Sequence, residues 1–262
     1  MPEALSPVDR QWRDMSIIQH WKSGVDCLPP HRIMLAALPG VGNVGKLIVD
    51  SLIEANQAEN VLRLLHPAMP PQAKLNAEGL LVPPSIMFHH FDDIMIVTAD
   101  GQPMTPEGQH ECAIEILQLA RDSESEHVVV LAGMSAAAGE EEAFIVCSDA
   151  SARLDLEEMG ADVRRDQPNG GVIGLVGLLA SLGPATGVRS SCAIATTVGS
   201  SVDPVASDRL LRAVCDWFSL DISPPGAILE RMAVNMAMLE GKGIAGEMPE
   251  ILQDDSSPML YS

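Results

Sequence analysis

The run RIMLAALPGVGNVGKLIVDSLIEA, residues 32–55, limits the possible folds more than any other stretch of this chain. Residues 33–39 are apolar without interruption rather than at alternate positions, so a strand here must be covered on both faces. Residues 44–55 place apolar side chains at helical spacing, and Gly40, Gly42 and Gly45 join the two segments through a tight turn. The alternation continues along the chain. Strands are expected at 60–66, 79–82, 85–91, 94–99, 127–133, 143–148 and 190–197. One helix should follow Thr105-Pro106, a cap and first-turn proline, with Ala113, Ile116, Leu117 and Ala120 on one face. Others are expected at 150–160, at 171–183, and behind Asp203-Pro204 with Leu210, Val214 and Trp217 on one side. A last one, at about 225–240, carries Leu229, Met232, Met236 and Leu239. Strands separated by helices indicate an α/β fold with a largely parallel central sheet.

No linker divides residues 31–241, which read as a single domain. Residues 1–30, with two tryptophans and a Pro29-Pro30 stop, read as an extension packed on that domain. Residues 242–262 lose the apolar period and read as a flexible tail. The net charge of −20, with four lysines, would repel phosphate backbones, which argues against nucleic acid. The apolar run 171–183 is too short and glycine-rich to span a membrane, and no basic patch or secretion signal is apparent. Cys27, Cys112, Cys147, Cys192 and Cys215 are scattered without a C-x-x-C, as expected of buried residues in a reducing cytoplasm.

The glycine turn spells G-x-G-x-x-G after a strand and before a helix, the context of a dinucleotide site. The second strand, however, runs into LRLLHPAMPP and offers no acid for a ribose. Read as a phosphate loop, it has Leu47 after Lys46 where a magnesium-binding Ser or Thr is required. The turn is therefore expected to be architectural. GMSAA, residues 133–137, resembles a nucleophile elbow, but the last histidine, His127, precedes Ser135 instead of following it. HHFDD (89–93) and EGQHE (107–111) are the densest histidine–acid clusters. Neighbouring strand histidines point to opposite faces, and the helical Glu107–His110 pair occurs once. No catalytic constellation, metal site or cofactor is expected.

Six segments then follow in a telling order: LPGVGNVGKLIVDSLIE, HPAMPPQ, TADGQPMTPEGQHECAIEIL, VVLAGMSA, GGVIGLVGLLASLG and SVDPVASDRLLRAVCDWFSLDI. Over roughly residues 32–240 the chain resembles the proteasome assembly chaperone 2 family, including its archaeal members. Val176 and the ATTVGSS segment depart from the pattern expected there. The resemblance implies a three-layer α/β/α domain, somewhat like nucleoside phosphorylases, acting as a non-catalytic binding protein and a homo-oligomer. Leu260-Tyr261-Ser262 is similar to the terminal hydrophobic–Tyr–X motif by which activators and chaperones dock between 20S proteasome α subunits. Leu260 can fill an apolar pocket, Tyr261 offers a ring and a hydroxyl, and a terminal carboxylate can pair with a lysine. Tyr261 is the chain's sole tyrosine. The expected function is thus a cytoplasmic proteasome chaperone or activator-like protein anchored by that tail. The alternative is a nucleoside- or phosphate-ligand enzyme using a cleft around Gly40–Lys46, Asp100 and Glu107.

Overall fold

Residues 33–38 alternate between two cores. Ile33, Leu35 and Ala37 pack into one, Met34, Ala36 and Leu38 into the other, and all six are buried. This double burial is why the stretch is apolar at every position. The computed structural model describes residues 17–76, 79–199 and 202–222. The expected helix at 225–240, residues 1–16 and the tail with Leu260, Tyr261 and Ser262 lie outside the described residues.

Among the described residues the strands are β1 (Ile18–Trp21), β2 (Ile33–Ala37), β3 (Glu59–Leu65), β4 (Lys74–Leu75), β5 (Leu81–Val82), β6 (Ile86–Phe91), β7 (Ile94–Ala99), β8 (His127–Ser135), β9 (Ala143–Cys147) and β10 (Ser190–Thr197). The helices are α1 (Val44–Ala55), α2 (Pro106–Asp122), α3 (Ala150–Glu158), α4 (Leu175–Thr186) and α5 (Pro204–Phe218), and a 3-10 turn spans Val41–Asn43. The main sheet has the order β1-β3-β6-β7-β2-β8-β10-β9. β7, β2, β8 and β10 run parallel, whereas β1, β3 and β6 on one side and β9 on the other pair antiparallel. The parallel arrangement read from the sequence is therefore the centre of a mixed sheet. β6 and β7 can only pair antiparallel because Asp92-Asp93 alone joins them, Asp92 taking a left-handed conformation at φ 48.

Helices α2 and α4 cover one face, and α1, α5 and α3 the other, giving three layers. The helix starts follow the residues that marked them. Thr105 Oγ1 accepts from Gly108 N–H at 3.1 Å, and Asp203 Oδ1 accepts from Ala206 N–H at 3.0 Å. The 171–183 helix begins four residues later than expected. Gly171 and Gly174 hold left-handed backbone at φ 78 and 86, and the first helical amide, at Leu175, donates to Gln102 Oε1. Two strands had no legible signal. β1 belongs to the segment read as an extension, and its end residues are half-buried and its middle ones exposed, without alternation. β4, the other, pairs with β5, which lies within the strand expected at 79–82, in a separate two-residue ladder. Among the described residues no helix is long and apolar enough to cross a membrane.

Candidate functional site

Beyond the end of β2 the chain enters the glycine turn. Gly42 and Asn43 adopt left-handed backbone, φ 61 and 47, which swings the chain into α1. Gly45 sits so close to β8 that a Cβ there would lie 2.2 Å from the Leu131 carbonyl oxygen. Gly133 of β8 reciprocates, since a Cβ on it would lie 2.2 Å from Val41 O. The carbonyls of this joint are taken up from α5: Gly42 O accepts from Asp203 N–H at 2.8 Å, and Val44 O from the Ser207 hydroxyl at 3.0 Å. Lys46 turns along the helix surface to pair with Asp50. The turn welds α1 and α5 to the sheet, and its lysine is engaged by a carboxylate.

A cavity of about 260 Å³ opens beside the turn, past the C-terminal ends of β2 and β8, where ligands of open α/β sheets generally bind. Gly40, Val41, Gln102, Ser135, Ile173 and Val176 line it, and no lining side chain carries a charge. Asp100 lies elsewhere, paired with Lys74 at 3.0 Å over a pocket of about 60 Å³. Glu107 is the acid of the first turn of α2 and lines neither pocket. The structure thus separates the parts of the small-molecule site that the sequence had grouped: the turn, Asp100 and Glu107.

The remaining candidates resolve as structural groups. His127 is buried at the opposite end of β8 from Ser135, roughly 27 Å away for eight steps along a strand, so the two cannot pair. Its ring lies within hydrogen-bond distance of the Ser191 hydroxyl at 2.8 Å and meets Phe218 edge-on, and burial pushes its pKa down to about 4. His89 and His90 contact separate carbonyls, Ala58 O at 3.4 Å and Pro30 O at 3.2 Å. Glu111 engages His66 at 2.8 Å. Among the described residues no group of three His, Cys, Asp or Glu side chains could hold a metal. A second, apolar groove of about 570 Å³ runs between α2, α4 and β9 past His110, Cys147 and Cys192. Burial pushes those thiols up to about 11 and 12, which disfavours their thiolate forms.

The QPMTPEGQ segment has a role that its motif did not disclose. Gln102 Nε2 donates to Pro39 O at 3.2 Å while its Oε1 receives Leu175 N–H, so one side chain ties the end of β2 to the start of α4. Gln109 folds back onto Pro103 O at 2.8 Å. Met104 N–H donates to Ala68 O at 2.8 Å, and Gly108 leaves room for Ala68 and His66, so the HPAMPP loop docks on the same segment.

These segments carry the comparison with known proteins. The model of the PAC2 family matches residues 34–239. The chain belongs to the PAC2 family. An uncharacterised protein of Methanocaldococcus jannaschii is 25% identical over 194 residues, 73% of this chain and 75% of that one. Among solved structures, this PAC2 protein is similar to Pyrococcus furiosus PbaB, an archaeal proteasome activator, with TM-score 0.70, 23% identity and coverage of 87% and 98% of the two chains. It is also similar to PbaA of the same organism, an archaeal homologue of proteasome-assembly chaperone, with TM-score 0.71, 22% identity and coverage of 88% and 93%. A Mycobacterium tuberculosis proteasome-assembly chaperone homologue gives TM-score 0.60 at 16% identity, covering 85% and 96%. At such identities the likeness shows a shared PAC2 fold.

Proposed function

We propose that this protein is a non-catalytic, cytoplasmic partner of the 20S proteasome, an assembly chaperone or activator-like protein that binds α subunits. The observation that carries the reading is the PAC2 match over residues 34–239. The fold shared with an archaeal proteasome activator and with proteasome-assembly chaperone homologues supports it. The site chemistry supports binding over catalysis: the cavity lining is uncharged, the thiols of the groove are held protonated, and His127 is engaged at the far end of β8. Leu260, Tyr261 and Ser262 are the proposed anchor, Leu260 and Tyr261 as pocket-filling side chains. A homo-oligomer would present several such anchors to a ring, and each further contact is then intramolecular. Native mass spectrometry of the protein mixed with 20S α subunits from the same cell tests the reading. A complex with α subunits is expected, and its absence at micromolar concentrations would overturn the assignment.

A further inference from the structure

β8 outruns its neighbour. Its ladder with β2 ends at the pair Ala36–Val130, yet β8 continues to Ser135 beside β10. Val128 N–H and Ala136 N–H donate toward β10, to Arg189 O and Thr197 O at 2.9 Å each. Main-chain groups alternate along a strand, so those of Gly133 and Ser135 point to the opposite edge, the side on which β2 has already stopped. Among the described residues no strand pairs with that edge. Gly133 and Ser135 line the uncharged cavity of about 260 Å³ together with Gln102, which is held in place at both ends of its amide.

The rim is apolar as well. Ile173 is 85% exposed, Val198 63% and Val41 42%. Val198 stands beside Gly199, where a Cβ would lie 3.1 Å from the hydroxyl of Ser135, a lining residue of the cavity. In a chain with a net charge of −20, a mouth of exposed branched aliphatics around a lining without charge is a local exception. The cavity is smaller than the usual 300 Å³ or more of a cofactor or drug-sized site. An unpaired strand edge calls for an extended main chain, and the uncharged walls call for aliphatic side chains.

We propose that this slot binds a short, uncharged, extended segment of a partner protein, which continues the sheet where β2 stops by pairing with Gly133 and Ser135 of β8. Recognition has two parts: main-chain hydrogen bonds to the open edge, and an aliphatic side chain seated against Val41, Ile173 and Val176. The test uses the intact protein and the probe acetyl-Ser-Val-Leu-Val-Ser-amide, read by hydrogen exchange of the 131–136 segment and by titration. The probe should slow exchange at Gly133 and Ser135. N-methylation of its central leucine amide should weaken binding at least tenfold, and Ile173→Asp at least fivefold without loss of fold, Ile173 being exposed. Equal binding of the N-methylated probe, or protection confined to other segments, would overturn strand addition. The chain's own tail is the competing occupant. If the free protein already protects Gly133 and Ser135, and Leu260→Ala with Tyr261→Ala releases them, the slot is filled in cis and the partner assignment falls.

Discussion

An alanine at position 45 would set its Cβ 2.2 Å from the Leu131 carbonyl oxygen and 2.7 Å from its carbon, both main-chain atoms of a central strand. Neither can retreat without breaking the β8 ladder, so Gly45→Ala should lower stability by about 2 kcal/mol or more. The midpoint of urea unfolding reads this directly. Lys46, one residue on, behaves differently. Its pairing with the half-exposed Asp50 is a helical i,i+4 contact, so Lys46→Ala should change stability by no more than about 0.5 kcal/mol. Proteasome binding by that variant should be unchanged in a pull-down, and a loss of binding with an intact fold would restore a ligand role to the turn. The contrast shows what the sequence discloses at this scale. The missing ribose acid and the Leu47 after Lys46 marked the turn as architecture. That Gly45 rests on Leu131 and Gly133 on Val41 depends on strands brought together from far apart in the chain, which no local pattern encodes.

Helix ends and strand faces were the most legible elements. Thr105 and Asp203 each cap the helix that their sequence context announced, Asp149 caps α3 without having been marked, and Thr105→Ala should cost about 1 kcal/mol. The two-sided apolar run gave β2, because a strand buried on both faces cannot alternate, and β7, β8 and β10 prove buried on both faces along most of their length as well. β1 and β4 stayed hidden because they lie at an edge or outside the main sheet, where burial imposes little pattern. At the junction of β8, β10 and α5, His127 adds a pH response. Burial, reinforced by Arg189 and opposed by Asp149 and Asp155, holds its pKa near 4 against 6.5 when unfolded. Between those values the unfolded chain takes up a proton that the folded one refuses. Stability should be undiminished above pH 6.5 and fall as the pH drops toward 4, by about 3 kcal/mol in all. Burial lowers His31 and His89 too, so they act in the same direction. Thermal melts across this range should show the decline, and His127→Asn should lessen it, leaving the part due to His31 and His89.

For the whole molecule, the decisive measurement concerns the segment beyond the described domain. Tyr261→Ala should reduce proteasome binding by at least tenfold while leaving thermal unfolding unchanged, because losing an anchor of this kind commonly costs about 2 kcal/mol. Should the protein be multivalent, the deficit on intact rings would exceed that on isolated α subunits, a comparison surface plasmon resonance can make. The parallel centre of the sheet also has a consequence in time. Ile33 of β2 pairs with Ile94 on one side and His127 on the other. A ribosome adds about 5–20 residues per second, so the first flank follows roughly 3–12 s after β2, and the second some seconds later. Throughout that interval the flanking strands of IMLAA are missing, so both of its edges stay open. The strand at the heart of the finished protein is therefore its most vulnerable segment during translation, and it is where a trigger-type holdase would be expected to grip the nascent chain.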